Sequence, residues 1–125
     1  RKPLRGLEGA PFIEGKQIYL SKVAEPLKLF EGSAAEAIEG FPANLNVAVA
    51  LGMAGIGPEN TRLQVWADPS VDRNTHTIRL RSDSADLELV IRNIPTEENP
   101  KTGRITALSI VAALRKMSAP LIIGT

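Results

Sequence analysis

Three stretches of this sequence alternate apolar and polar residues with a period of two, and that rhythm limits the fold more than any other feature. In Arg62–Ala67, Leu63, Val65 and Ala67 fall on one side, Arg62, Gln64 and Trp66 on the other. Residues 77–81 set Ile78 and Leu80 against Thr77, Arg79 and Arg81, and residues 87–94 set Leu87, Leu89 and Ile91 against Glu88, Val90 and Arg92. Successive side chains on a strand point to opposite faces, so the pattern predicts a largely antiparallel sheet with one strongly apolar face. Trp66 and Val90 stand among charged residues on the second face, which is therefore expected to be partly covered, and the expected cover is another copy of the sheet. The predicted class is α+β: an open, mixed, largely antiparallel sheet with helices on one face and the other face used for dimerisation.

The remaining elements are read from punctuation. Residues 1–26 carry Pro3, Gly6, Gly9, Pro11, Gly15 and Pro26 at short intervals and are expected as an extended connecting arm. Residues 27–30 form a short candidate strand. Ser33 followed by Glu36 is a capping box that predicts a short helix to about Glu39. Phe41-Pro42-Ala43-Asn44-Leu45-Asn46 is expected to open the next helix, with Pro42 in its first turn. Residues 47–56 contain no polar side chain, so that helix is expected to be central and wrapped by protein. Glycines 52, 55 and 57 end it as caps and close-packing residues; their spacing is not that of a dinucleotide loop. Glu97-Glu98-Asn99-Pro100-Lys101-Thr102 opens a last long helix, whose stripe is Ile105, Leu108, Val111, Ala112 and Leu114. Residues 121–123 can add a final strand.

Composition narrows the function. At 125 residues the chain can bury a core without staples, and with no cysteine it has neither disulfides, thiolate catalysis nor cysteine-ligated zinc. A single histidine excludes a multi-histidine metal site. The lack of cysteine fits a reducing, cytoplasmic setting. A net charge of +1 with interspersed signs offers no broad basic face for nucleic acid and no polybasic membrane patch, and no segment is apolar for the roughly 20 residues a bilayer requires. A small-molecule or protein partner is expected. The start at Arg1-Lys2-Pro3, without methionine, reads as part of a longer protein.

His76 is the only side chain whose ordinary pKa lies near neutrality, and it ends the polar run Asp68-Pro69-Ser70-Val71-Asp72-Arg73-Asn74-Thr75-His76. Such an imidazole can be oriented through one ring nitrogen and exchange a proton through the other, or it can be a loop histidine with local hydrogen bonds only. Asn44 and Asn46 stand where backbone amides and the helix dipole favour an anion or a ligand amide; they could equally cap the helix.

Four segments together carry a resemblance: Gly32-Ser33-Ala34-Ala35-Glu36-Ala37, Phe41-Pro42-Ala43-Asn44-Leu45-Asn46-Val47-Ala48, Ala67-Asp68-Pro69 through Arg73-Asn74-Thr75-His76, and Glu98-Asn99-Pro100-Lys101-Thr102. In order and spacing they resemble the carboxy-terminal domain of L-aspartate dehydrogenases, over nearly the whole chain. The resemblance implies a single α+β catalytic domain over residues 27–125, joined in the parent enzyme to an amino-terminal Rossmann domain of which this sequence shows no trace. It implies oxidation of L-aspartate to iminosuccinate, then oxaloacetate and ammonia, with NAD or NADP bound mainly by the other domain. It places the active-site histidine on His76 and a dinucleotide contact on Asn46.

Ser33, Asn44, Arg73 and Lys101 are further candidates for the two substrate carboxylates, and Asp68 or Asp72 for orienting the imidazole. The chain alone is expected to be inactive. Two other readings stand beside this one: a non-catalytic dimerisation module, and a domain of a related amino-acid or dicarboxylate reductase.

Overall fold

The structure is a computed structural model that describes residues 1–94 and 104–117. By internal contacts the chain divides into two compact units, Arg1–Thr75 and the described residues from His76 onward. The helix opening at residues 97–102, including Lys101, and the strand expected at 121–123 lie outside the described residues.

In the first unit, strand β1 (Leu27–Ser33) pairs antiparallel with β2 (Arg62–Ala67), running from Leu27 opposite Ala67 to Ser33 opposite Arg62. A bulge between Lys28 and Phe30 shifts the register. The alternation in β2 holds: Val65 and Ala67 are buried, Leu63 half-buried, Arg62 and Gln64 exposed. The strand expected at 27–30 extends to Ser33.

Residues 1–26 are not an extended arm. They form a 3₁₀ turn at Leu4–Leu7, the short helix α1 (Pro11–Gly15) and a second 3₁₀ turn at Leu20–Lys22. The prolines and glycines punctuate these pieces rather than straighten them: Pro11 takes the first helical position, where no amide donor is needed, and Gly15 closes the helix. Leu7, Ala10 and Ile13 are buried in the same core as Ala37, Phe41, Leu45, Val65 and Ala67, so this segment is part of the fold.

Helix α2 (Ala34–Gly40) starts as its sequence requires, from a complete capping box at Ser33 and Glu36. The expected helix from Phe41–Pro42 does not begin there. The Phe41 amide donates to Ala37 O and closes α2, residues 42–44 form a turn, and helix α3 spans Asn46–Ala54. Phe41 is fully buried and stacks on Phe12 at 5.0 Å between ring centroids, while Phe30 meets Phe12 and Phe41 edge-on at 6.1 Å each. That anchorage commits Phe41 to the end of α2.

Helix α3 also departs from the expectation of a wrapped helix. Its only buried residue is Gly52, while Met53 is 76% and, just beyond the helix, Ile56 is 70% exposed. An all-apolar helix needs cover, and the described residues do not supply it. Gly52 does serve close packing: a Cβ there would sit 3.0 Å from the Pro58 Cα.

In the second unit, β3 (Thr75–Arg81, its first residue belonging to the first unit) and β4 (Asp86–Arg92) make a two-stranded antiparallel hairpin. Ser82 closes the turn, its amide and hydroxyl both donating to Ala85 O (3.1 and 2.9 Å). Helix α4 (Arg104–Met117) matches the last predicted helix. The α+β class and antiparallel pairing therefore hold, but the strands divide into two open two-stranded sheets rather than one. Among the described residues the apolar face expected on the hairpin is not covered: Leu80, Leu87 and Leu89 are exposed, as is Val90 on the opposite face and as are Leu108, Val111 and Leu114 of α4.

The aromatic cluster should dominate the stability of the first unit. Phe41→Ala is expected to lower the unfolding free energy by about 3–5 kcal/mol, measured by denaturant titration, because the ring is fully buried among partners that cannot all collapse into the space.

Candidate active site

The polar run after β2 is tied to the first residues of the chain. Lys2 extends β2 by a single parallel bridge, its amide donating to Trp66 O and its carbonyl accepting from the Asp68 amide, each at 2.9 Å. The Arg1 nitrogen donates to Thr75 O at 2.7 Å, and the Thr75 amide to Arg1 O at 2.9 Å. Arg5 adds a guanidinium bond to Asp72 O at 3.1 Å. Two adjacent residues thus clamp both ends of a loop that brings in Asp68, Asp72, Arg73 and Asn74.

Asp68 is fully buried and its carboxylate is satisfied. Oδ1 accepts from the Ser70 amide (2.9 Å) and hydroxyl (2.6 Å), and Oδ2 from Arg1 NH1 (2.8 Å). The Ser70 hydroxyl first, then Arg1 and the Ser70 amide, hold the carboxyl below its ordinary value against desolvation. Asp72 makes a two-point pair with Arg73, at 2.8 and 2.7 Å, which lowers the acid and raises the guanidinium. The oxygens offered as orienters of His76 are engaged with Ser70, Arg1 and Arg73.

His76 is half-buried near the start of β3, and its Nε2 lies 3.3 Å from Asn93 Nδ2. Asn93 follows β4 directly. Its Oδ1 is buried and, among the described residues, accepts no hydrogen bond. An imidazole held at Nε2 by a neutral amide remains able to change protonation state, which suits acid–base work. No spacing in the sequence singled out Asn93, because only the hairpin brings it to His76.

Ser33, Asn44, Asn46 and Arg73 lie in the first unit. Asn46 is the first residue of α3, exposed, with no side-chain capping bond. The capping alternative for the two asparagines thus fails, since Leu45 holds the cap position. Asn44 sits in the preceding turn, where its amide donates to Phe41 O at 2.9 Å. Ser33 is buried, and its hydroxyl accepts from the Glu36 amide (3.1 Å) and donates to Glu36 Oε2 (3.0 Å), so its expected contact with a substrate carboxylate is displaced by the cap. Arg73 is committed to Asp72, and Lys101 lies outside the described residues. Among those residues no group of three acidic, histidine or cysteine side chains could hold a metal, and no helix is long and apolar enough to cross a membrane.

The family model described as aspartate dehydrogenase, C-terminal, matches residues 1–117. The chain belongs to this family. It is 60% identical over its whole length to L-aspartate dehydrogenase of Bradyrhizobium diazoefficiens and to L-aspartate dehydrogenase 3 of Bordetella bronchiseptica, covering 44% and 46% of them. The crystal structure of aspartate dehydrogenase from Thermotoga maritima superposes with a TM-score of 0.71 at 33% identity, over 82% of this chain and 40% of that one. As an aspartate dehydrogenase C-terminal domain, the chain spans slightly under half the length of the curated relatives it matches.

Lys2 carries no sequence signal that sets it apart from its neighbours, and the fold buries it. It is 9% exposed, its ammonium lies 3.4 Å from Asn74 Oδ1, and no carboxylate among the described residues pairs with it. Desolvation lowers its pKa from 10.5 to about 8. Between those values the unfolded chain binds more protons than the folded one, so stability rises with pH from about 8 to 10.5. Lys2→Met is expected to raise the unfolding free energy at neutral pH by about 1–3 kcal/mol and to flatten that rise. Urea titrations with the same pH slope in both proteins would refute it.

Proposed function

We propose that this chain is the substrate-binding and catalytic part of an NAD(P)-dependent L-aspartate dehydrogenase that oxidises L-aspartate to iminosuccinate, which water converts to oxaloacetate and ammonia. The observation that carries the reading is His76, the sole histidine, half-buried beside a neutral amide in a chain of this family. The nicotinamide, when bound, supplies the hydride acceptor.

The amine of aspartate must offer a lone pair before the α-carbon can release hydride, so a proton has to leave the substrate ammonium. His76 takes it, and in the later step activates water toward the imine carbon. A positioned base of this kind contributes about 10² to 10⁴ in rate.

Asn46 suits the dinucleotide. Its side chain is exposed at the first turn of α3, with donors and an acceptor not taken up in a cap, and a carboxamide can pair with another carboxamide or with a ribose hydroxyl. The uncovered apolar residues of α3 are consistent with a further part of the parent protein closing over that helix. Asn44 and the cations Arg73 and Lys101 are retained as donors for the substrate carboxylates; for Arg73 this requires that Asp72 share its guanidinium.

The exposed Leu80, Leu87 and Leu89 of the hairpin support assembly as a homodimer. The cysteine-free composition is in keeping with a cytoplasmic enzyme. In the complete protein Leu87→Asp is expected to shift the mass measured by light scattering from dimer to monomer; an unchanged mass would remove this face from the interface. His76→Ala in the complete enzyme is expected to lower kcat at least about tenfold without loss of folded structure. Undiminished turnover would end the acid–base role.

A further inference from the structure

His76 and Asn93 stand 17 positions apart, yet Nε2 and Nδ2 meet at 3.3 Å. The hairpin accounts for this. β3 begins at Thr75 and β4 ends at Arg92, so antiparallel pairing brings the start of one strand beside the end of the other. Asn93 is the next residue and carries its amide to the tip of the ring.

That position matters because an imidazole anchored only by its backbone keeps a broad, roughly two-fold final torsion. A bond at Nε2, far from the backbone, removes the freedom and fixes which nitrogen points where. An amide is also a partner for either charge state. Nδ2 can donate to a bare Nε2, and after a half-turn Oδ1 can accept from a protonated one. The buried Oδ1 has no donor among the described residues, and a buried acceptor left alone costs about 1–3 kcal/mol. Beside a ring that gains and loses a proton, that lone oxygen is the group a half-turn would use. A carboxylate at the same place would favour the imidazolium and hold the proton that each cycle must return.

Building on the acid–base reading of His76, we propose that Asn93 is its positioning residue, gripping Nε2 and setting the ring orientation and tautomer from which the proton is exchanged.

The test uses the complete enzyme with isotope-labelled histidine, the His76 signal being assigned by its loss in His76→Ala. Asn93→Ala is expected to move the His76 ring-nitrogen shifts toward a different tautomer balance. It should also lower kcat about tenfold while KM changes less than about threefold. In the His76→Ala background the same substitution should remove nothing more, since the amide acts only through the ring. Asn93→Asp, which keeps the shape if the alanine variant fails to fold, is expected to raise the His76 pKa by about one unit. Ring-nitrogen shifts indifferent to both substitutions would overturn the proposal, and so would a further tenfold loss in the double variant. Full turnover in His76→Ala alone would instead remove the acid–base reading, while the ring shifts still reported whether the contact exists.

Discussion

The first unit is organised by a short backbone exchange between Lys2 and the end of β2, in which the Lys2 amide and carbonyl pair with Trp66 and Asp68. The polar contacts of the loop after β2 follow from that splice. With Lys2 fixed, Arg1 reaches the Asp68 carboxylate and exchanges backbone bonds with Thr75, so the loop between β2 and β3 is held at both ends. The buried carboxylate is tolerated because three donors meet its two oxygens; stripped of them, desolvation would return it to the neutral acid. Its depressed pKa also ties the loop to pH. The stability it contributes is present above the ordinary carboxylate pKa and lost as the pH falls through the lowered one.

The same loop separates structural charge from chemical charge. Asp68 and Asp72 face Ser70, Arg1 and Arg73, and their negative charge is balanced on the spot. His76 has an amide at Nε2. A carboxylate there would stabilise the imidazolium; a neutral amide adds no charge to the ring's surroundings. Lys2 shows the opposite economy of the interior: a cation buried against a single amide oxygen, with its affinity for the proton reduced accordingly.

Much of the fold was legible because it is set by neighbours in sequence. The capping box at Ser33 and Glu36 is closed within one turn, and the alternation in β2 needs only the pleat. The failures share a cause. Proline and glycine exclude long elements from residues 1–26 and so suggest an arm, but short turns fit between them once Leu7 and Ile13 find a core. The sequence at Phe41 suits the opening of a helix, and its burial against Phe12 and Phe30 makes it the end of another. For α3 the pattern demanded cover, and that demand stands; the described part of the chain leaves it unmet.

By itself the sequence determined the period of each strand, the start of α2, the uniqueness of His76 and the family to which the motifs belong, since these rest on residue type and local spacing. Tertiary structure alone decided which side chains meet. It gave Asp68 to Ser70 and Arg1, and Asn93 to His76. Hydrogen bonds are satisfied by whatever donor or acceptor the folded backbone brings within about 3 Å, and for partners far apart in the chain that proximity is a property of strand pairing rather than of composition.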